Sequence, residues 1–178
     1  MQAQQPFVDW VRGHARDDLP NFIPPEDIPG LATFLEDVPG ILTELILSGA
    51  MDADMSSGSV SHEWTPWPDP LVAGERWHVL PLKVFGEYRG VSGRFPITRK
   101  CLNYWPELIT ASFSRLRNRT AMKPHFGMPI TSKDSLRVQI GLIVPGRAVM
   151  CVGGDTEDFR VGKPLVFDEM QTHFAYNE

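Results

Sequence analysis

Apolar positions recur at helical spacing only early in the chain. Leu31, Phe34 and Leu35 fall on one helical face. After Pro39, which suits a first helical turn, Ile41, Leu42, Leu45 and Ile46 continue a second face to a stop at Gly49. Ahead of these helices the chain is polar and ends in a proline-rich stretch, Leu19 to Pro29, read as an extended arm or loop. Behind them, the Ser-, Gly- and Asp-rich run Asp52 to Ser61 reads as a loop. His62 to Pro70, dense in Trp and Pro, reads as an irregular packed segment.

From Trp77 the texture changes to short β-like runs. Trp77 to Phe85, Ala111 to Leu116, Ala121 to Pro124, Leu136 to Val144, Ala148 to Val152 and Pro164 to Phe167 are candidate strands. Pro145-Gly146, Gly153-Gly154-Asp155 and Gly162-Lys163-Pro164 punctuate them as turns. A helical lead followed by many short strands predicts an α+β, mainly β chain whose body is a jelly roll or barrel. A length of 178 residues favours one domain, with an arm and helices over 1–55 and the β core over 77–178.

Composition narrows the classes. Hydrophobic content of 42% and charged content of 22% are ordinary for a globular chain. A net charge of -5 offers no general attraction to nucleic acid. Arg115, Arg117 and Arg119 are read as alternate strand residues on one solvated or ligand-facing side. Cys101 and Cys151 form no CxxC pattern, so a disulfide framework is not expected and a reducing cytoplasm is the default. Met1 to Asp18 has no apolar signal core, and no run reaches the roughly 18 apolar residues of a membrane span. Ile41 to Leu47 is too short and holds Glu44.

The five histidines are His14, His62, His78, His125 and His173. His125, in Lys123-Pro124-His125-Phe126-Gly127, and His173, in Phe167-Asp168-Glu169-Met170-Gln171-Thr172-His173, each follow a strand-like run. Strands distant in sequence face each other across a jelly roll, so two such histidines can meet in its mouth. Neutral imidazoles suit iron(II), and oxygen chemistry needs open coordination positions. Pattern permits this pairing without selecting it.

Met122-Lys123-Pro124-His125-Phe126-Gly127, then Leu136-Arg137-Val138-Gln139-Ile140-Gly141-Leu142-Ile143-Val144-Pro145, Val152-Gly153-Gly154, and Gly162-Lys163-Pro164-Leu165-Val166-Phe167-Asp168-Glu169 with His173 form an ordered set. That set resembles the aspartyl/asparaginyl β-hydroxylase family of iron(II)- and 2-oxoglutarate-dependent oxygenases, from about Trp77 to the end of the chain. The helix over Ile41 to Leu47 also looks like that family's lead helix. The resemblance implies a double-stranded β-helix (jelly roll, cupin-like), with His125 as proximal and His173 as distal iron ligand. Many related oxygenases carry an acidic ligand two residues after the first histidine. Gly127 stands there instead, matching the acid-free β-hydroxylase branch, and a glycine also suits a tight turn.

The resemblance further implies that Ser114 helps bind the distal carboxylate of 2-oxoglutarate and that Arg137 grips a substrate carboxylate. A planar guanidinium fork pairs both oxygens at once. Gln139 replaces the usual histidine, which leaves its contact to 2-oxoglutarate or substrate open. Asp168 and Glu169 match an acidic pair that orients the distal histidine or shapes a strand end. The family also carries an arginine on the strand after the distal histidine, and the sequence ends at Glu178 before it. The expectation is a truncated form with its last strand missing, or else another anchor among Arg117, Arg119 and Arg160. The implied activity is hydroxylation of an unactivated C–H in an amino acid, an aspartyl or asparaginyl residue, or a related metabolite. It uses Fe(II), O2 and 2-oxoglutarate, with no nucleic-acid or membrane partner. Halogenation and a non-catalytic binding role are the alternatives.

Overall fold

Helix precedes strand, as the change of period at Trp77 predicts. The computed structural model describes residues 19–51, 64–67, 77–127 and 135–178. The polar start to Asp18, the loop from Asp52 to Ser61, most of the segment from His62 to Pro70, and His14 and His62 lie outside the described residues. Two helices, α1 (Leu31–Glu36) and α2 (Val38–Leu47), occupy the predicted positions, and Pro39 sits in the first turn of α2. The proline-rich arm holds a 3-10 turn at Pro25–Asp27 and joins the β body through Ile23, whose N–H donates to the Val166 carbonyl at 2.8 Å.

Sequence pattern missed a third helix, α3 (Pro96–Leu102). Its seven residues carry too little periodicity to show, and its N-terminus is held from elsewhere. The Glu44 carboxylate on α2 accepts the N–H groups of Ile97 (2.7 Å) and Thr98 (2.9 Å) and the Thr98 hydroxyl (2.7 Å). Those are orphan donors of a first helical turn, here capped across 53 and 54 positions.

Among the described residues, ten strands in antiparallel pairs carry the rest. One sheet centres on β2 (Trp77–Val84), paired with β1 (Thr65–Pro66), β3 (Glu87–Tyr88) and β4 (Ala111–Leu116). A second runs in the order β5 (Thr120–Ala121), β10 (His173–Asn177), β7 (Ala148–Val152), β8 (Asp155–Asp158). The third pairs β6 (Leu136–Ile140) with β9 (Pro164–Asp168). The chain is therefore mainly β, with few helices.

Two strand readings need correction. β6 stops at Ile140 rather than running to Val144, because Gly141 makes a parallel bridge to Val161. A Cβ at Gly141 would lie 2.9 Å from the Arg160 carbonyl oxygen, so only glycine allows that approach. β5 is confined to Thr120–Ala121. β8 and β10 went unread; β8 is a polar hairpin partner of β7, turned by Gly153 and Gly154, both at positive φ.

Two main interiors result, with a smaller cluster of Ile23, Ile28, Leu31 and Val166 joining the arm and α1 to β9. The first sits between the helices and the β2–β4 sheet: Phe34, Val38, Ile41, Leu45, Leu80, Leu82, Phe95 and Phe113 pack together. The second joins the other two sheets through Met150, Val152, Leu165, Phe167 and Ala175. Cys101 and Cys151 are buried and form no disulfide. Among the described residues no helix is long and apolar enough to cross a membrane.

Candidate metal centre

Strand alternation decides which side chains enter the second interior. On β7 and β10, Met150 and Ala175 face inward and are paired, so Val152 and His173, the next inward pair, face inward too. On β9 and β6, Phe167 and Leu165 face inward opposite Arg137 and Gln139, which therefore share that face. Leu116 at the end of β4 packs against the same core, and Ser114, two residues earlier, lies on the same side of its strand.

His125 arrives by a slip of register. Thr120 and Ala121 pair with Asn177 and Tyr176, and the Met122 N–H donates to the Ala175 carbonyl at 2.8 Å. Continuing that register would set Pro124 opposite His173. Instead His125 pairs with His173, each N–H donating to the other's carbonyl at 3.0 and 2.8 Å. One extra residue on the His125 side acts as a bulge, which re-aims side chains at strand ends. It brings the two imidazoles to a centroid separation of 4.4 Å.

Both rings are oriented alike. His125 Nδ1 lies 2.9 Å from the Lys123 carbonyl, and His173 Nδ1 lies 2.8 Å from the Gln171 carbonyl. A carbonyl oxygen only accepts, so each Nδ1 carries the proton and each Nε2 keeps its lone pair. This is the tautomer a metal-ligating imidazole needs, fixed by the kind of outer partner that ligating histidines use. Burial, above all, holds the His173 imidazole below the ordinary histidine pKa. The Gln171 carbonyl opposes that shift, His125 adds to it, and the charges of Glu169 and Arg137 act in opposite senses. Phe167 packs on His173 at 5.1 Å between centroids.

The turn before His173 is built by Asp168. Its Oδ1 accepts the Met170 N–H at 2.9 Å, and its carbonyl accepts the Gln171 N–H at 3.0 Å. That turn places the Gln171 carbonyl against the His173 ring. Asp168 is buried and follows the inward Phe167, so it acts on His173 through the loop rather than from inside the site. Gly127 is buried and donates its N–H to the Glu169 carbonyl at 2.8 Å. Among the described residues no three His, Cys, Asp or Glu side chains gather in a metal-binding group.

The remaining sequence-read residues are placed as follows. Arg137 forms an ion pair with the Glu169 carboxylate. Gln139 sits opposite Leu165. Ser114 is exposed and accepts the Trp77 indole N–H at 2.7 Å, beside a Trp67–Trp77 stack at 4.5 Å. Sequence reasoning had not found the Arg137–Glu169 pairing or the Lys123 and Gln171 carbonyls. Backbone carbonyls leave no mark in sequence; the charge complement of Arg137 and Glu169 was visible, but not their register.

The family model described as aspartyl/asparaginyl beta-hydroxylase matches residues 49–178. The chain belongs to this family. The match begins upstream of the resemblance read from Trp77 and takes in every residue named in the centre. No match was found among curated proteins. Membership gives a hydroxylase-type domain.

Proposed function

We propose that this chain is an iron(II)- and 2-oxoglutarate-dependent dioxygenase on a double-stranded β-helix. It hydroxylates an unactivated C–H of an amino acid, an aspartyl or asparaginyl residue, or a related metabolite. The observation that carries this reading is the His125–His173 pair, with both Nδ1 protons held by backbone carbonyls and both Nε2 atoms left as donors to a metal.

The donor set fits iron(II): two neutral imidazoles, with no side chain at Gly127 to add a carboxylate. Iron(II) bound here with 2-oxoglutarate and O2 supplies the oxidising power for C–H hydroxylation, releasing succinate and carbon dioxide. The protein's own residues bind, orient and shield. His125 and His173 hold the metal; the Lys123 and Gln171 carbonyls keep both rings in one tautomer. Phe167, Leu165 and Met150 keep water from the inner wall. Gln139 on the inward face of β6, and Ser114, exposed on the same side of β4 as Leu116, serve as contacts for 2-oxoglutarate, while Arg137 takes a substrate carboxylate.

The test couples turnover to metal binding. Wild-type chain with iron(II), ascorbate and 2-oxoglutarate is expected to release succinate, and His125→Ala and His173→Ala are expected to abolish both iron affinity and release. Unchanged iron affinity in either variant sinks the site assignment. Iron retention without succinate, over a panel of amino acids and aspartyl peptides, sinks the enzymatic reading.

A further inference from the structure

The Arg137–Glu169 ion pair is more than a brace between two strands. Arg137 projects inward from β6 opposite Phe167, and Phe167 packs on the His173 ring. Glu169 follows β9 directly, and its carbonyl accepts the Gly127 N–H, two residues after His125. Arg137 is 37% exposed and Glu169 16%, so the pair is enclosed yet reachable. One fixed positive and one fixed negative group thus stand side by side at the histidine pair.

We propose that Arg137 and Glu169 together recognise the zwitterionic head of a free α-amino acid: the guanidinium takes the carboxylate and the Glu169 carboxylate takes the ammonium group. This deepens the reading above and rests on it. Physical reasoning selects the zwitterion. A ligand bearing only a carboxylate must compete with Glu169 for Arg137 and sets two carboxylates on one cation, a like-charge arrangement that costs affinity in an enclosed site. A zwitterion brings a countercharge for each partner, so separating the pair leaves both re-paired. An aspartyl or asparaginyl residue inside a peptide has a neutral amide nitrogen where the ammonium would be, and Glu169 then gains no charge-assisted bond. The geometry therefore favours a free amino acid over a residue within a polypeptide.

The experiment is calorimetric binding to the iron(II)-loaded chain under anaerobic conditions, which needs no turnover. The probes are the twenty common L-α-amino acids, each with its N-acetyl derivative. At least one free amino acid is expected to bind about tenfold or more tighter than its N-acetyl form, the scale of one charge-assisted contact. Glu169→Gln is expected to erase that ratio by weakening the free amino acid alone. Arg137→Gln is expected to weaken both forms together. Comparable affinity for free and acetylated forms in the wild type overturns the proposal, as does failure of all twenty to bind. Equal weakening of both forms by Glu169→Gln, with iron affinity retained, assigns Glu169 a bracing role only and overturns it as well. Loss of iron binding in the His125→Ala and His173→Ala variants is the separate check on the metal centre, so failure of amino-acid discrimination with that check intact removes this inference alone.

Discussion

The two interiors are built to opposite rules. Between the helices and the β2–β4 sheet, the core is mainly apolar: Leu80 and Phe95 are fully buried, and Phe95 meets Phe113 edge to face at 5.1 Å. Of its polar groups, Asp37 and Glu44 satisfy neighbours and a helix end, while His78 is buried on the same face of β2 as Leu80 and Leu82. Glu44 caps α3; Asp37 accepts from Tyr104 at 3.1 Å and from the Cys101 thiol at 3.3 Å. Burial first, then the Asp37 contact, pushes that thiol up to about 11, so it stays protonated and unreactive. The interior between the other sheets instead holds an imidazole pair, an arginine and a glutamine on its inward face. Polar groups taken from water are costly unless paired, and here backbone carbonyls pair the two imidazoles and Glu169 pairs Arg137. The first interior is packed mainly with apolar side chains; the second gives part of its inward face to polar ones.

That division can be broken at either side, and the effects should rank. Phe95→Ala opens a cavity in the apolar interior and is expected to cost about 3–5 kcal/mol in denaturant unfolding. The folded fraction should keep its iron affinity, and a parallel loss of iron binding would show that the two interiors are coupled. His125→Ala is expected to lower iron affinity at least about a hundredfold, or roughly 2.7 kcal/mol, by calorimetry. The same change should leave the unfolding midpoint nearly in place, since His125 is only half-buried.

Glu44→Ala removes the cap of α3 and should destabilise by about 1–2 kcal/mol without touching iron affinity. A change under a few tenths would assign the end of α3 to packing instead. The smallest effect is a pH slope. His173 is held below its ordinary value, so the unfolded chain binds its proton more readily than the folded one. Its neutral form then supports folding fully above the unfolded histidine value of about 6.5, and stability falls as pH drops below it. Chelator-treated wild type should lose more stability between pH 7.5 and 5.5 than His173→Gln does; equal losses would mean that the burial of His173 carries no linkage.

The helix faces of α1 and α2 and the apolar runs of β2, β4, β7 and β9 were legible because each carries its own period or its own hydrophobic block. The order of motifs around His125 and His173 was legible too, and with it the family. α3 was not, because the carboxylate that caps it comes from Glu44, far along the chain. The end of β6 was not, because it depends on how closely the Arg160 backbone approaches Gly141.

By itself, the sequence determined the helical lead, the mainly β body, the absence of a side chain at position 127 and the identity of two histidines able to ligate a metal. Tertiary structure alone decided that they meet. It did so through one extra residue opposite β10, which sets His125 rather than Pro124 against His173, and through two carbonyls that fix both tautomers. It also decided that Arg137 answers to Glu169. Register between strands distant in sequence is a property of the assembled sheets, and a one-residue slip moves every side chain to the other face.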